Sequence, residues 1–221
     1  MSDLQMNLRV VLFDVDGVLL DSLELHLKIC RDKSREYGLG LKIPSAPEFK
    51  KLVRSGVPIS PMKCFFLAVG FPEEYADKAN RQYQDVFMRL YAPRPFPGVH
   101  RVLQALHHSG LQLGIVTSNV RANVVGALGP SMKFFHPDCV LTGDKSRNSS
   151  KAELIVTALK ILDADPAEAV YVGDQPADWE AAKAAQVNFL GATYGWGISE
   201  DDQEFPLVNR VSDIFLRVTE L

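Results

Sequence analysis

The chain has 221 residues, 47% hydrophobic and 23% charged, with 24 Lys or Arg against 27 Asp or Glu and a net charge of -3. That length suits one large domain or a core domain carrying a smaller insert, and the composition is that of a globular fold, not of a disordered chain or coiled coil. The slight acidity gives no general attraction to a polyanion, and the apolar runs at residues 10–13 and 169–172 fall far short of a bilayer span, so neither a nucleic-acid nor a membrane role is expected. Cys30, Cys64 and Cys139 lie far apart with no C-x-x-C pair, which argues against zinc and against a disulfide framework. The short polar start lacks the apolar stretch of a signal peptide, and the expected setting is cytoplasmic.

In chain order, short apolar runs alternate with helical patterns. Residues 8–13 are rich in β-branched side chains and stop at Asp14. Residues 111–116 stop at Thr117, 139–141 at Thr142 and Gly143, and 169–172 at Gly173 and Asp174, while 187–190 offer a fifth run. Continuous apolar runs of this length suit strands buried on both faces. Between them, residues 99–108 and 177–185 read as helices. Leu154, Ile155, Ala158, Leu159 and Leu162 form a helical stripe that Ser149 or Ser150 can cap. Such alternation implies right-handed crossovers and an α/β fold with a doubly wound, Rossmann-like parallel sheet.

One stretch breaks the pattern. From Ser22 to Tyr91 helical spacing dominates: Leu23, Leu27 and Cys30 share a face, Phe65, Phe66 and Val69 another, and residues 73–90 are long and amphipathic. Pro93, Pro95, Pro97 and Gly98 then read as a stiff return linker. The expected division is a core of residues 1–20 and 95–221 with an all-helical insert at 21–94.

The ends of the strands carry the chemistry, since ligands of open parallel sheets bind at that edge. Asp14 and Asp16 follow the first run, Thr117-Ser118-Asn119 the second, Lys151 opens a helix, and Asp174 is followed by Asp178. Two carboxylates this close repel each other and lose hydration in a crevice, unless a cation sits among them. Oxygen ligands suit Mg²⁺, which shares its sphere with phosphate. Gly17 allows a sharp turn that presents N–H groups to an anion. Thr117, with the N–H groups of Ser118 and Asn119, would hold phosphoryl oxygens, and Lys151 would balance charge. Together these residues read as phosphoryl transfer onto a carboxylate with acid–base help.

The stretch Val11-Leu-Phe-Asp-Val-Asp-Gly-Val-Leu-Leu-Asp-Ser22 resembles the first motif of the haloacid dehalogenase-like superfamily in its phosphatase branch. Residues 115–119 resemble the second motif, 150–155 the third and 172–178 the fourth, in family order. The helical insert resembles the family's cap domain. The resemblance implies Asp14 as the nucleophile that becomes aspartyl-phosphate. Asp16 would be the acid and base, also giving its backbone carbonyl to Mg²⁺. Thr117 would bind the transferring group, Lys151 would steady Asp14 and phosphate, and Asp174 would ligate Mg²⁺, with Asp178 either a ligand or just behind one. The aspartate at position 16 disfavours dehalogenase and phosphonate hydrolase chemistry. The third motif lacks the Lys-Pro of many relatives, so Lys145 and Arg147 stand as substitutes for Lys151. The loop at 193–205, with Gly195-Trp196-Gly197, resembles the family's loop after the last core strand and receives no chemistry.

Substrate choice would lie with the cap. His26, one turn beyond Ser22, and Arg54, in the cap loop that relatives aim at substrate, are the candidate substrate-binding residues beside Gly17, Ser118 and Asn119. The reading is a Mg²⁺-dependent phosphatase of a small phosphorylated metabolite, phosphoglycolate-like or sugar-phosphate-like, acting as a monomer or homodimer. A β-phosphoglucomutase-like phosphosugar mutase is the alternative, and a non-catalytic phosphate-binding protein stands behind both.

Overall fold

The computed structural model describes residues 8–144 and 149–221, with residues 84–90 described by backbone alone. Its first strand is β1 (Val10–Phe13), followed by β2 (Leu20–Asp21) and four helices: α1 (Leu23–Glu36), α2 (Ala46–Arg54), α3 (Met62–Ala68) and α4 (Glu73–Tyr91). The chain returns through β3 (Arg94–Pro95) and α5 (Val99–His108) to β4 (Gln112–Thr117), α6 (Arg121–Leu128) and β5 (Val140–Thr142). It then runs through α7 (Lys151–Ile161), β6 (Ala169–Gly173), α8 (Pro176–Ala184), β7 (Asn188–Ala192), β8 (Leu207–Val208) and α9 (Ile214–Thr219).

The larger sheet is parallel, in the order β5-β4-β1-β6-β7-β8. The chain first winds outward from β1 through β4 to β5, then crosses back to β6. The direction reverses beside β1, and a doubly wound sheet opens its ligand crevice at such a reversal. All four β1 residues are fully buried, as a central strand covered on both faces requires. Val11 and Phe13 face a core shared with α5, α6 and α9, while Val10 and Leu12 face one shared with α7 and α8. Truncating Phe13 to Ala in so tight a setting is expected to cost about 3–5 kcal/mol.

The four helices between β1 and β3 build a separate apolar cluster around Leu27, Phe49, Phe65 and Phe66. This is the helical cap over a Rossmann-like core. Pro93–Pro97 is not a bare linker: Arg94 and Pro95 pair antiparallel with Asp21 and Leu20, and Phe96 N–H donates to Leu19 O at 3.0 Å. Pro95 lacks an N–H but sits on a two-stranded edge where none is needed. The two chain crossings between core and cap therefore lie side by side. The short elements β2, β3, α6, β8 and α9 had no counterpart among the sequence expectations, and the ends of the expected strands shift by one or two residues.

Candidate active site

Asp14 leaves β1 with its N–H donating to Val172 O at 2.9 Å, so the strand end is pinned to β6 before the chain turns. The residue is 3% exposed. Lys151 Nζ lies 3.0 Å from Asp14 Oδ2 and also contacts Asp178 Oδ1. The lysine is held there because α7 starts exactly one residue after its cap. Ser150 Oγ accepts Glu153 N–H at 3.2 Å, and Glu153 Oε2 accepts Ser150 N–H at 2.7 Å. Burial pulls the Lys151 ammonium down, but the charges of Asp14 and Asp178 outweigh it and hold the group well above its ordinary range.

Asp178 is fixed on every side. Its Oδ2 accepts N–H bonds from Asp174 at 3.0 Å and Gln175 at 3.1 Å, across the first turn of α8. Asp174 is fully buried, with Oδ2 accepting the Trp196 N–H at 2.7 Å, while Oδ1 has no protein partner. One carboxylate oxygen each from Asp14, Asp174 and Asp178 lies within 4.8 Å of the others. Burial, then the neighbouring Asp178 and Asp14 charges, pushes Asp174 well above the carboxylate range. Burial also raises Asp178, against the pull of Lys151. Three buried carboxylates facing one ammonium, with an orphaned oxygen among them, form a donor set that fits a hard divalent cation.

Asp16 is treated differently. Ser22 Oγ–H donates to its Oδ1 at 2.6 Å and Asn119 Nδ2 to its Oδ2 at 2.7 Å, turning the carboxylate away from the Asp174 cluster. Burial raises it to about 6, with Asp14 adding to the rise and the Ser22 and Asn119 bonds opposing it. His26 Nε2 stands 3.8 Å from Asp16 Oδ1, and its Nδ1 faces the Tyr83 hydroxyl at 3.3 Å. Burial lowers His26 to about 3, so the imidazole is neutral at physiological pH.

The structure brings Asp14, Asp16, His26, Ser118 and Asn119 around one cavity of about 240 Å³, with Lys151 just behind Asp14. The cap closes it with Ile59, Met62, Phe65, Asn80 and Tyr83. Three expectations differ from what is seen. Gly17 does turn the chain at φ 80°, but its N–H is spent on Leu20 O at 3.0 Å and is not offered to an anion. Its bareness serves Asp174 instead, since a Cβ at Gly17 would overlap that carboxylate. The Asn119 N–H likewise donates to Thr117 Oγ1 at 3.2 Å, leaving the Asn119 amide, which binds Asp16, as its contribution to the site. Arg54 is exposed and lies outside the cavity, its Nη2 reaching Ile198 O at 3.3 Å. The apolar face of α2 buries Phe49 and Val53, which turns Arg54 outward. Lys145 and Arg147 lie outside the described residues.

Three contributors escaped the sequence reading: Trp196, Tyr83 and the Ser22 hydroxyl. Of these, Trp196 carried a signal as an aromatic residue flanked by two glycines, and Ser22 as the last residue of the first motif, whereas Tyr83 carried none.

A doubly wound sheet with an acidic pocket at its reversal point, roofed by inserted helices, is a capped Rossmann-like α/β architecture with its ligand crevice under the cap. The model of a family described as haloacid dehalogenase-like hydrolase matches residues 11–192. The chain is 28% identical to a phosphoglycolate phosphatase of Aquifex aeolicus, over 94% of this chain and 95% of that one. It is 27% identical to an N-acetylmuramic acid 6-phosphate phosphatase of Pseudomonas aeruginosa, over 90% and 87% of the two chains. In fold it resembles a haloacid dehalogenase-like hydrolase of Streptococcus pneumoniae, with a TM-score of 0.75, 21% identity, and 96% and 99% of the chains covered. The chain belongs to the haloacid dehalogenase-like hydrolase family and stands within it among the phosphatases.

Proposed function

We propose that this phosphoric monoester hydrolase is Mg²⁺-dependent and cleaves a small, sugar-phosphate-like metabolite through an aspartyl-phosphate on Asp14. The observation that carries the reading is the unequal treatment of two neighbouring carboxylates. Asp14 is held beside the Lys151 ammonium, whereas Asp16 is half-buried, bonded to Ser22 and Asn119, with its acidity weakened to about 6. Environments that push two carboxylates apart assign one as nucleophile and the other as acid and base.

Asp14 and Asp174, with the Asp16 backbone carbonyl, would hold Mg²⁺, and Asp178, whose oxygens already bind Lys151 and two N–H groups, would stand behind them. When bound, the cation neutralises charge on the phosphoryl oxygens. In the first half-reaction an Asp14 oxygen bonds to phosphorus and the bond from phosphorus to the leaving oxygen breaks. The Asp16 carboxyl gives its proton to that oxygen, releasing an alcohol. In the second half-reaction Asp16 takes a proton from the attacking water, the bond between Asp14 and phosphorus breaks, and inorganic phosphate leaves. Lys151 steadies Asp14 and the transferring group, with the Thr117 hydroxyl and the Ser118 N–H binding phosphoryl oxygens.

The cap wall favours an uncharged leaving group. Ile59, Pro61, Met62, Phe65 and Tyr83 give it an apolar and aromatic surface with Asn80 as a neutral polar contact, and Asp144 lines the same cavity from the core. Among the described lining residues no Lys or Arg stands ready for a carboxylate or a second phosphate, which weighs against phosphoglycolate and against a bisphosphate-handling mutase. The adjacent crossings of β2 and β3 support a cap of residues 21–94 hinged on a core of 1–20 and 95–221.

The test is phosphate release from a panel of monoesters, including phosphoglycolate, hexose phosphates, nucleotides and β-glucose 1-phosphate, in Mg²⁺ and in EDTA. Release in Mg²⁺ alone, fastest from esters of neutral alcohols, is the expected result. Conversion of β-glucose 1-phosphate to glucose 6-phosphate without free phosphate would replace hydrolysis by mutase chemistry.

A further inference from the structure

The segment Gly195-Trp196-Gly197 follows β7 and approaches Asp174 more closely than side chains would permit. A Cβ at Gly195 would overlap the Asp174 side chain, and one at Gly197 would come 2.8 Å from Val53 Cγ1 and 2.9 Å from Pro176 Cδ. The bare backbone clasps Asp174 at both ends. Trp196 N–H donates to the carboxylate Oδ2 at 2.7 Å, while the N–H groups of Gly197 and Ile198 donate to the Asp174 carbonyl at 2.9 and 2.8 Å. Only Oδ1 is left buried and without a hydrogen-bond partner, on a carboxylate that clusters with those of Asp14 and Asp178.

The indole points the other way. Trp196 is 5% exposed and belongs to the apolar cluster of the cap, not to the core that carries its backbone. Its ring stands 5.3 Å from His26, 6.1 Å from Phe65 and 6.3 Å from Phe49, edge-on to each. Two cap cations brace the same loop, Lys50 Nζ at 3.4 Å from Tyr194 O and Arg54 Nη2 at 3.3 Å from Ile198 O. One short loop is thus fixed by its backbone to a carboxylate of the floor, and by the Trp196 ring and two backbone carbonyls to the roof.

We propose that Trp196 is a positioning residue that couples docking of the cap to cation binding, by fixing which oxygen of Asp174 faces the cation. The proposal rests on the reading of Asp14, Asp174 and Asp178 as a cation seat. When the cap is docked, the seated indole holds the Trp196 N–H on Oδ2, and Oδ1 is presented. When the cap swings away, the indole loses its aromatic seat, the N–H loosens and the carboxylate can rotate. Linkage makes the effect reciprocal, so a cation on Oδ1 favours the docked cap.

Trp196→Leu keeps the backbone N–H and removes the indole. By calorimetry with Mn²⁺ alone, its affinity is expected to fall about 5–150-fold, the usual range for coupled sites. The chain has two tryptophans, so Trp179→Phe leaves Trp196 as sole reporter whether or not the leucine variant folds. Its emission is expected to change saturably with Mg²⁺, and not to change when Asp174→Asn is added. A folded Trp196→Leu chain that binds Mn²⁺ like wild type overturns the coupling, as does silent Trp196 emission while calorimetry reports Mg²⁺ binding. A wild-type chain that binds neither cation overturns the cation seat itself, and the coupling with it.

Discussion

The floor of the cavity and its roof are built on opposite principles. On the floor, Asp14, Asp16, Asp174 and Asp178 engage Lys151, Ser22, Asn119, Trp196 and backbone N–H groups, and of their oxygens Asp174 Oδ1 has no hydrogen-bond partner. On the roof, Ile59, Met62 and Phe65 present apolar surface, and the one histidine is neutral. The floor hangs on strand ends that cannot shift without breaking the sheet, while the roof is a packed helical cluster whose surface can change residue by residue. Chemistry is therefore expected to depend on single atoms of the floor, and selectivity on the character of the roof.

Substitutions can break that contrast at several points. Asp14→Asn keeps size and shape but removes the proposed nucleophile, and turnover should fall by roughly 10⁴-fold or more with folding unimpaired, as loss of a covalent nucleophile does. Phosphate release by metal-loaded protein checks this. Lys151→Met leaves Asp14 and Asp178 without their cation and should lower kcat by about 10²–10³-fold, as loss of a charge-stabilising group does. On the roof, Met62→Arg places a cation on the neutral wall. It should shift the kcat/KM ratio of phosphoglycolate to a hexose phosphate upward by about tenfold, the factor that 1.4 kcal/mol supplies.

The pH dependence sharpens the role of Asp16. The first half-reaction needs its carboxyl protonated, so kcat/KM should decline as pH rises through about 6. Ser22 stabilises the ionised form, so Ser22→Ala should raise the Asp16 pKa. The declining limb then moves to higher pH, by roughly half a unit to one unit for a hydrogen bond worth about 1 kcal/mol. A limb that stays put or moves downward would detach Asp16 from the acid step. The smallest effect is expected of Arg54→Ala. Its side chain is exposed and outside the cavity, and kcat/KM should stay within about threefold of wild type.

The same contrast explains what could be read from the sequence. Apolar runs that stop at Asp14, Thr117 and Asp174 announce buried strands with polar ends, and they place the floor residues at one edge before any coordinates are known. The cap insert was legible from the loss of strand periodicity. The two-residue strands β2 and β3 were not, because two residues carry no period and prolines ordinarily argue against pairing. Arg54 was misplaced because the direction of a cap side chain follows from which face of α2 is buried, a tertiary fact. The Gly17 and Asn119 N–H groups went to local turn bonds that motif spacing does not display. Trp196 was passed over because its backbone serves one domain and its ring the other.

The central claim is a covalent phosphoryl group on Asp14, and the most direct measurement is to trap it. Wild-type chain mixed with Mg²⁺ and its best substrate is quenched in acid within one turnover, and its peptides are weighed by mass spectrometry. A phosphoryl-sized increase on the peptide carrying Asp14, absent from Asp14→Asn, is the expected result. Undiminished phosphate release by the Asp14→Asn chain, with no adduct on either protein, would contradict it.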